Sequence, residues 1–209
     1  MRLLAFSDLH RDTTAALAIV AASVNADIVI GAGDFATMGQ GLDDTISILR
    51  AITAPVVLVA GNHDSLCDLR SACSGWTNAH VLHGQSIEIG GEGGAKSAQT
   101  TKTVFGLGYE ISTLDRGPWN SQMGEAEAEQ YLGACPHNCI LVTHAPPYGV
   151  ADLQRNGAHE GSTAIRACIE RTAPVLSLCG HIHHAWGTSG VIGHTPVHNL
   201  GPKLNWFTV

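Results

Sequence analysis

Twelve of the 209 residues are histidine, the commonest metal-ligating side chain and the general acid or base whose ordinary pKa lies nearest neutrality. Several stand in short polar clusters with aspartate or asparagine: Ser7-Asp8-Leu9-His10, Gly33-Asp34, Gly61-Asn62-His63-Asp64, Thr143-His144 and Gly180-His181-Ile182-His183. Singly, most are weak signals. Asp-x-His arises by chance, Gly-Asp is a common turn, and a lone histidine after a strand is generally a hydrogen-bonded surface residue. Gly-Asn-His-Asp and Gly-His-x-His are sharper, because each joins a permissive glycine to clustered ligand types. Nitrogen and oxygen ligands without thiolate suit Mn, Fe, Zn or Ni better than Ca or a structural zinc. An aspartate among them can bridge two cations through its several lone pairs.

Each cluster closes a short apolar run: residues 2–6, 27–30, 56–60, 139–143 and 175–179. Between the first runs, Leu17, Val20, Ala21 and Val24 recur at helical spacing, as do Leu42, Ile46, Leu49 and Ile52 ahead of Pro55. Strand, helix, strand, helix, strand implies parallel strands with crossover helices, and continuous apolar runs imply strands covered on both faces. Ligands of such sheets bind beyond the carboxyl ends of the strands. Five strand ends carrying Asp, His and Asn to that edge build one site, and core packing alone would not place these residue types at every terminus. Further along, short strands are expected around 81–82, 86–89 and 103–107, with a Gly-, Ser- and Thr-rich loop over 90–102 joining a hairpin. Helices are expected over Glu125–Leu132 and 162–171, the latter with Ser162 as N-cap, and short strands over 190–209. No interdomain linker or internal repeat interrupts the chain, so residues 1–209 read as a single domain.

Lys plus Arg number 11 and Asp plus Glu 18, a formal charge of −7. That balance lacks the footprint of a general nucleic-acid binder and the polybasic surface that holds a protein to an anionic membrane. Hydrophobic residues make up 44% and charged residues 14%, with mean hydropathy +0.11, a balance that predicts a folded core rather than disorder. The apolar run after Met1 is too short for a signal-peptide core, and the stretch 15–22 falls far short of a membrane span. The expected setting is cytoplasmic, with reduced thiols. Cys135 and Cys139 lack the second close pair that a zinc site would want.

Taken in order, the five clusters resemble the signature of the calcineurin-like metallophosphoesterase superfamily: Asp-x-His, Gly-Asp, Gly-Asn-His-Asp/Glu, a His, and Gly-His-x-His. The resemblance runs from Asp8 to His183, most of the chain. It implies an α/β fold, a four-layer α/β/β/α sandwich with two facing mixed β-sheets. It implies two divalent metal ions, one on Asp8, His10, Asp34 and His183, the other on Asp34, Asn62, His144 and His181, with Asp34 bridging. The implied reaction is phosphoester hydrolysis by a metal-bridging hydroxide, the metals about 3.5–4 Å apart clamping an in-line displacement. His63 stays outside both metal shells as the catalytic histidine, protonating the leaving oxygen or stabilising the phosphoryl oxygens. Asp64 is a catalytic candidate that would orient His63, with capping of the next helix as its alternative. His184 adjoins the final ligand pair, and Asn199-Leu200-Gly201 is similar to the family's late Asn-x-Gly turn. Gly161-Ser162-Thr163 opens a helix whose free amides could hold a phosphate, although simple N-capping is the preferred reading. His80, His83, His137, His159, His194 and His198 read as surface or capping residues.

Within the superfamily, Gly33-Asp34-Phe35-Ala36-Thr37 and a third block ending in Asp64 look more like small bacterial phosphodiesterases and brain-type metallophosphoesterases than protein Ser/Thr phosphatases. The chain has little room for a cap outside 90–102 and 109–124. Arg11 aside, no arginine stands near the blocks, and a site without an arginine fork suits the single charge of a diester. A phosphodiesterase is therefore expected ahead of a phosphomonoesterase or protein phosphatase. A repair-type nuclease would need basic surface, and a non-catalytic scaffold on the same fold would be expected to have lost His63 or a ligand. The expected partner is a small phosphoester substrate, with neither nucleic acid nor membrane, and a homo-oligomer is left open.

Overall fold

The computed structural model describes residues 1–90, 101–114 and 116–209. The chain runs β1 (Arg2–Phe6), α1 (Thr13–Ser23), β2 (Ile28–Gly31), α2 (Leu42–Leu49), β3 (Val56–Leu58), α3 (Leu66–Ala72), β4 (Ala79–Val81), β5 (Gln85–Gly90) and β6 (Thr101–Leu107). A two-stranded pair follows, β7 (Glu110–Ile111) with β8 (Gln122–Met123), then α4 (Glu125–Leu132), β9 (Ile140–Thr143), α5 (Thr163–Thr172) and β10 (Leu176–Cys179). A single 3-10 turn over His183–Ala185 leads to β11 (Ser189–Ile192), β12 (Thr195–Asn199) and β13 (Asn205–Thr208).

Two sheets result. The first has the order β13-β1-β2-β3-β4, the second β11-β12-β10-β9-β6-β5. Both are parallel in the middle and antiparallel at an edge: β13 runs against β1, β11 against β12, and β5 against β6. Val-, Ile- and Leu-rich strands such as Ile28–Gly31 and Ile140–Thr143 are buried throughout, because each sheet is covered on both faces. One apolar layer lies between the sheets, with Leu3, Ile28, Ile30 and Val57 meeting Val104, Ile140, Val142 and Leu178. A second joins the first sheet to α1, α2 and α3 through Ile19, Ile46, Leu49 and Leu69. A third joins the other sheet to α4 and α5 through Leu132, Ile165 and Ile169. These three layers make the α/β/β/α sandwich that the motif order implied.

Helix α2 buries Leu42, Ile46 and Leu49, with Ile52 beyond its end, as expected. Helix α1 does not keep the expected face. Ala16, Ile19 and Ser23 are buried, whereas Leu17 is 59% and Val24 76% exposed. The helix is apolar almost all round, so spacing alone does not choose its face; small Ala16 and Ser23 are the side turned inward. Helix α3 was expected only as the helix that Asp64 would cap, without bounds. It spans only seven residues, buries only Leu69 fully, and starts from the Ser65 hydroxyl, which accepts from Asp68 N at 3.3 Å. The expected β5–β6 hairpin is present, and its ladder reaches Gly90 opposite Thr101. Gly90, Thr101 and Lys102, expected in the loop, are therefore strand residues; the rest of that expected loop, 91–100, lies outside the described residues. No helix among the described residues is long and apolar enough to cross a membrane.

Candidate metal centre

Strands β1, β2 and β3 of one sheet and β9 and β10 of the other end at a common edge, where the polar clusters follow them. The chain turns sharply there. Asp8, His10, Asp34 and His181 all have positive φ, at 54°, 44°, 57° and 68°, a region that costs non-glycine residues about 1–3 kcal/mol and concentrates at functional sites. The neighbouring loops hold these turns: Asp8 N donates to Gly33 O at 2.8 Å, His10 N to Asp34 O at 2.9 Å, and Gly180 N to His144 O at 2.9 Å. Two motif glycines are required by close approach. A β-carbon on Gly61 would overlap Asp34, and one on Gly180 would overlap Asp8.

The seven residues expected as metal ligands converge as two flanks of one centre. On the first, His10 Nε2 lies 3.1 Å from His183 Nε2 and 3.5 Å from Asp34 Oδ2, and His183 Nε2 lies 3.9 Å from Asp8 Oδ1. His10 Nδ1 donates to Ala36 O at 3.2 Å, which leaves Nε2 to face the centre. Asp8 is held by the Ser7 hydroxyl, by His181 N at 3.0 Å and by Trp186 Nε1 at 3.2 Å. On the second flank, His144 Nε2 lies 3.4 Å from Asp34 Oδ2 and 3.0 Å from Asn62 Oδ1, and His181 Nδ1 lies 3.0 Å from the same Asn62 oxygen. His144 Nδ1 donates to Ala32 O at 2.8 Å. Asp34 Oδ2 thus stands between the two flanks, while its Oδ1 accepts from His63 N at 2.8 Å. Each ring contact joins two atoms that both carry lone pairs, so a proton or a cation must lie between them. This mixed nitrogen and oxygen set fits two divalent cations sharing Asp34.

The electrostatics of the protein groups follow from burial against mutual charge. Burial would raise the Asp34 carboxyl, but the charge and hydrogen bond of His144 hold it below the usual carboxylate range. Burial would lower His144, yet Asp34 and Asp8 outweigh it and push the imidazole up to about 10. Burial raises Asp8 to about 6, with Asp34 adding to the rise. Burial and the charge of His144 push His181 down to about 3, while burial and His10 push His183 down to about 4. Opposed shifts of this size within one cluster mark a functional-site candidate.

His63 is half-buried at the edge of this centre. Its Nδ1 accepts from Met38 N at 2.8 Å, which leaves the proton of the neutral ring on Nε2. The ring packs against Trp119 with centroids 4.6 Å apart at 35°, and meets His10 edge-on at 4.8 Å. Burial lowers its pKa. Asp64 is buried and accepts from Phe35 N at 3.1 Å, Ala36 N at 2.9 Å and Gly61 N at 2.8 Å. Its carboxylate ties the second motif loop to the third, and α3 is capped by Ser65 instead. The start of α5 is already filled from within the chain. Ser162 caps it as expected, and the Glu125 carboxylate accepts from Ser162 Oγ at 2.8 Å, Thr163 N at 3.0 Å and Ala164 N at 2.8 Å. Asn199 lies close by, but acts on backbone: its Nδ2 donates to Gly180 O and Ala151 O at 3.0 Å.

The centre opens into a cleft of about 310 Å³, lined by Asp34, Asn62, His63, His181, His183 and His184, and by four residues that motif reasoning missed: Arg116, Trp119, Gln154 and Glu160. Arg116 Nε donates to Glu110 Oε1 at 3.1 Å, and Gln154 Nε2 to Glu160 Oε2 at 2.8 Å. The first pair of lining residues falls in the 109–124 stretch noted as room for a cap. That was its only signal in the sequence.

A model of the family described as calcineurin-like phosphoesterases matches residues 1–185. No curated protein matches the chain in sequence. Among solved structures, TT1561 of Thermus thermophilus is similar at 18% identity and TM-score 0.74, over 99% of this chain and 97% of its own. A structure described as a dimetal phosphatase from Danio rerio is similar at 11% identity and TM-score 0.61, over 97% and 88%. Another, described as a novel archaeal phosphodiesterase, is similar at 14% identity and TM-score 0.53, over 96% and 84%. At such identities these structures speak for the fold, and the match over residues 1–185 makes this chain a member of the calcineurin-like phosphoesterase family.

Proposed function

We propose that this protein hydrolyses small phosphoesters with two divalent cations, one held by Asp8, His10, Asp34 and His183, the other by Asp34, Asn62, His144 and His181. The observation that carries this reading is the place of Asp34 Oδ2, 3.5 Å from His10 Nε2 and 3.4 Å from His144 Nε2, with a complete donor set on either side. When bound, such a pair of cations supplies Lewis-acid stabilisation of the phosphoryl oxygens. The carbonyls of Ala36 and Ala32 fix the tautomers of His10 and His144, so each presents Nε2 to the centre. Met38 N and the Trp119 face hold His63 so that Nε2–H is the donor available to a leaving oxygen. Asp64 contributes by holding the loops of Asp34 and Gly61 together, not by touching substrate. The donor types favour Mn, Fe, Zn or Ni. Residues 1–209 form one domain in this reading, because β13 pairs with β1 and so completes the first sheet beyond the matched region.

The expected preference for phosphodiesters rested on the form of the second and third motif blocks, on little room for a cap and on an arginine-free site. Arg116 in the cleft removes the last of these grounds, so monoesters stand beside diesters in the reading. Protein loaded with Mn should turn over bis-aryl phosphate or aryl monophosphate, lose that turnover on chelation, and leave single-stranded DNA uncut. Absence of turnover with Mn, Fe, Zn and Ni alike would overturn the reading in favour of a scaffold.

A further inference from the structure

Among the described residues lining the cleft, Arg116 is the one carrying a permanent positive charge, in a chain of net charge −7. An exposed Arg–Glu pair contributes little by itself; here the arginine side chain is 42% exposed and only its partner is buried. Glu110 is 3% exposed. Its Oε1 accepts from Arg116 Nε at 3.1 Å and lies 3.8 Å from His181 Nε2. Its Oε2 accepts from Asn120 Nδ2 at 3.0 Å, and Asn120 Oδ1 accepts from Asn62 Nδ2 at 2.8 Å. One buried carboxylate therefore sets the guanidinium in register with Asn62 and His181. Nε is committed to Glu110 while the side chain lines the cleft, which leaves the terminal nitrogens as the donors to offer an anion there. A further carboxylate lining the cleft, Glu160, is tied to Gln154.

A phosphodiester carries one negative charge and a monoester nearly two near neutral pH, and a planar guanidinium matches phosphate oxygens as a fork. We propose that Arg116, seated on Glu110, is the specificity-determining residue of this cleft, holding the additional negative charge of a phosphomonoester dianion and favouring monoesters over diesters. The proposal rests on the phosphoester reading above.

The test compares an aryl monophosphate with the methyl diester of the same aryl alcohol, using the Mn-loaded full chain, alongside calorimetric titration with inorganic phosphate. A charge-assisted hydrogen bond is worth about 1.5–3 kcal/mol, roughly a 10- to 100-fold change. Arg116→Gln should lower kcat/KM for the monoester at least about tenfold more than for the diester, and weaken phosphate binding by a comparable factor. Arg116→Lys should recover only part of both, because charge without the fork is retained. If Arg116→Gln loses metal or melts early, Arg116→Lys carries the comparison. Equal losses on the two substrates, or unchanged phosphate affinity, would overturn the proposal. Failure of the native chain to hydrolyse either ester would instead sink the phosphoester reading, while the phosphate titration still decides whether Arg116 binds an anion.

Discussion

His63 and His144 are both strand-end histidines, and their surroundings give them opposite tasks. His63 receives a backbone N–H on Nδ1 and is pushed down by burial, so near neutrality it is neutral with its proton on Nε2. His63→Ala should therefore keep metal content and fold while lowering turnover by roughly 10²–10⁴-fold. The loss should shrink for esters with good leaving groups, and an unchanged rate on a poor leaving group would remove His63 from the reaction. His144 is instead raised to about 10 by Asp34 and Asp8 against the effect of burial. Its folded value lies above the ordinary 6.5, so its stabilisation of the metal-free protein is fully present below about 6.5 and lost as pH rises through about 10. A cation at that flank must displace this proton. Titration of chelator-treated protein with Mn in weak buffer at pH 7 should release at least one proton per chain, and apparent affinity should climb with pH up to about 10. His144→Gln should abolish that release; an undiminished release from the variant would place the proton elsewhere.

At the scale of elements, the centre depends on loops held by other loops. Asp64 ties the Asp34 turn to the Gly61 turn, and Asn199 fastens the turn that carries His181. Helices α4 and α5 are joined in the same manner by Glu125, whose carboxylate occupies the amides at the start of α5. This partner answers the expectation of a phosphate there: the free amides are already satisfied by an anion of the chain. Replacing a side chain that satisfies a helix start costs about 0.5–2 kcal/mol. Glu125→Ala should accordingly lower thermal stability by about that amount in a denaturant melt, and leave kcat/KM within twofold of the native value. A large loss of activity at unchanged stability would argue that the helix start serves the substrate after all.

At the scale of the whole molecule, two sheets meet so that neither alone completes the centre. Asp8, His10, Asp34 and Asn62 come from the first sheet's edge, and His144, His181 and His183 from the second's. Loading should consequently stabilise the packing of one sheet on the other, by about 2.7 kcal/mol when free metal stands at a hundred times its dissociation constant. Asp34 lies between both flanks. Elemental analysis of Mn-reconstituted protein should approach two equivalents per chain, and Asp34→Ala should lose most of both together with the metal-induced rise in Tm. Retention of one full equivalent by that variant would show that Asp34 is not shared.

The alternation of strands and helices over the first sixty residues, the parallel sense of the central strands and the seven ligand candidates were legible before any coordinates. Their signals are local: a fully covered strand reads as a continuous apolar run, and a polar Gly-containing cluster at its end announces the edge where ligands bind. The buried face of α1 escaped because an all-apolar helix does not say which side faces inward, and the extent of α3 because seven residues with only Leu69 fully buried show no period. The cleft wall escaped for a different reason. Arg116, Trp119, Gln154 and Glu160 sit in irregular segments, where side-chain direction is set by partners distant in the chain rather than by a repeat. The Glu110–Asn120–Asn62 chain of hydrogen bonds and the Glu125 carboxylate on α5 join residues up to 58 positions apart. Such pairings exist only once the sheets and helices have packed; they seat Arg116 in the cleft wall and fill the start of α5 with a carboxylate of the chain itself.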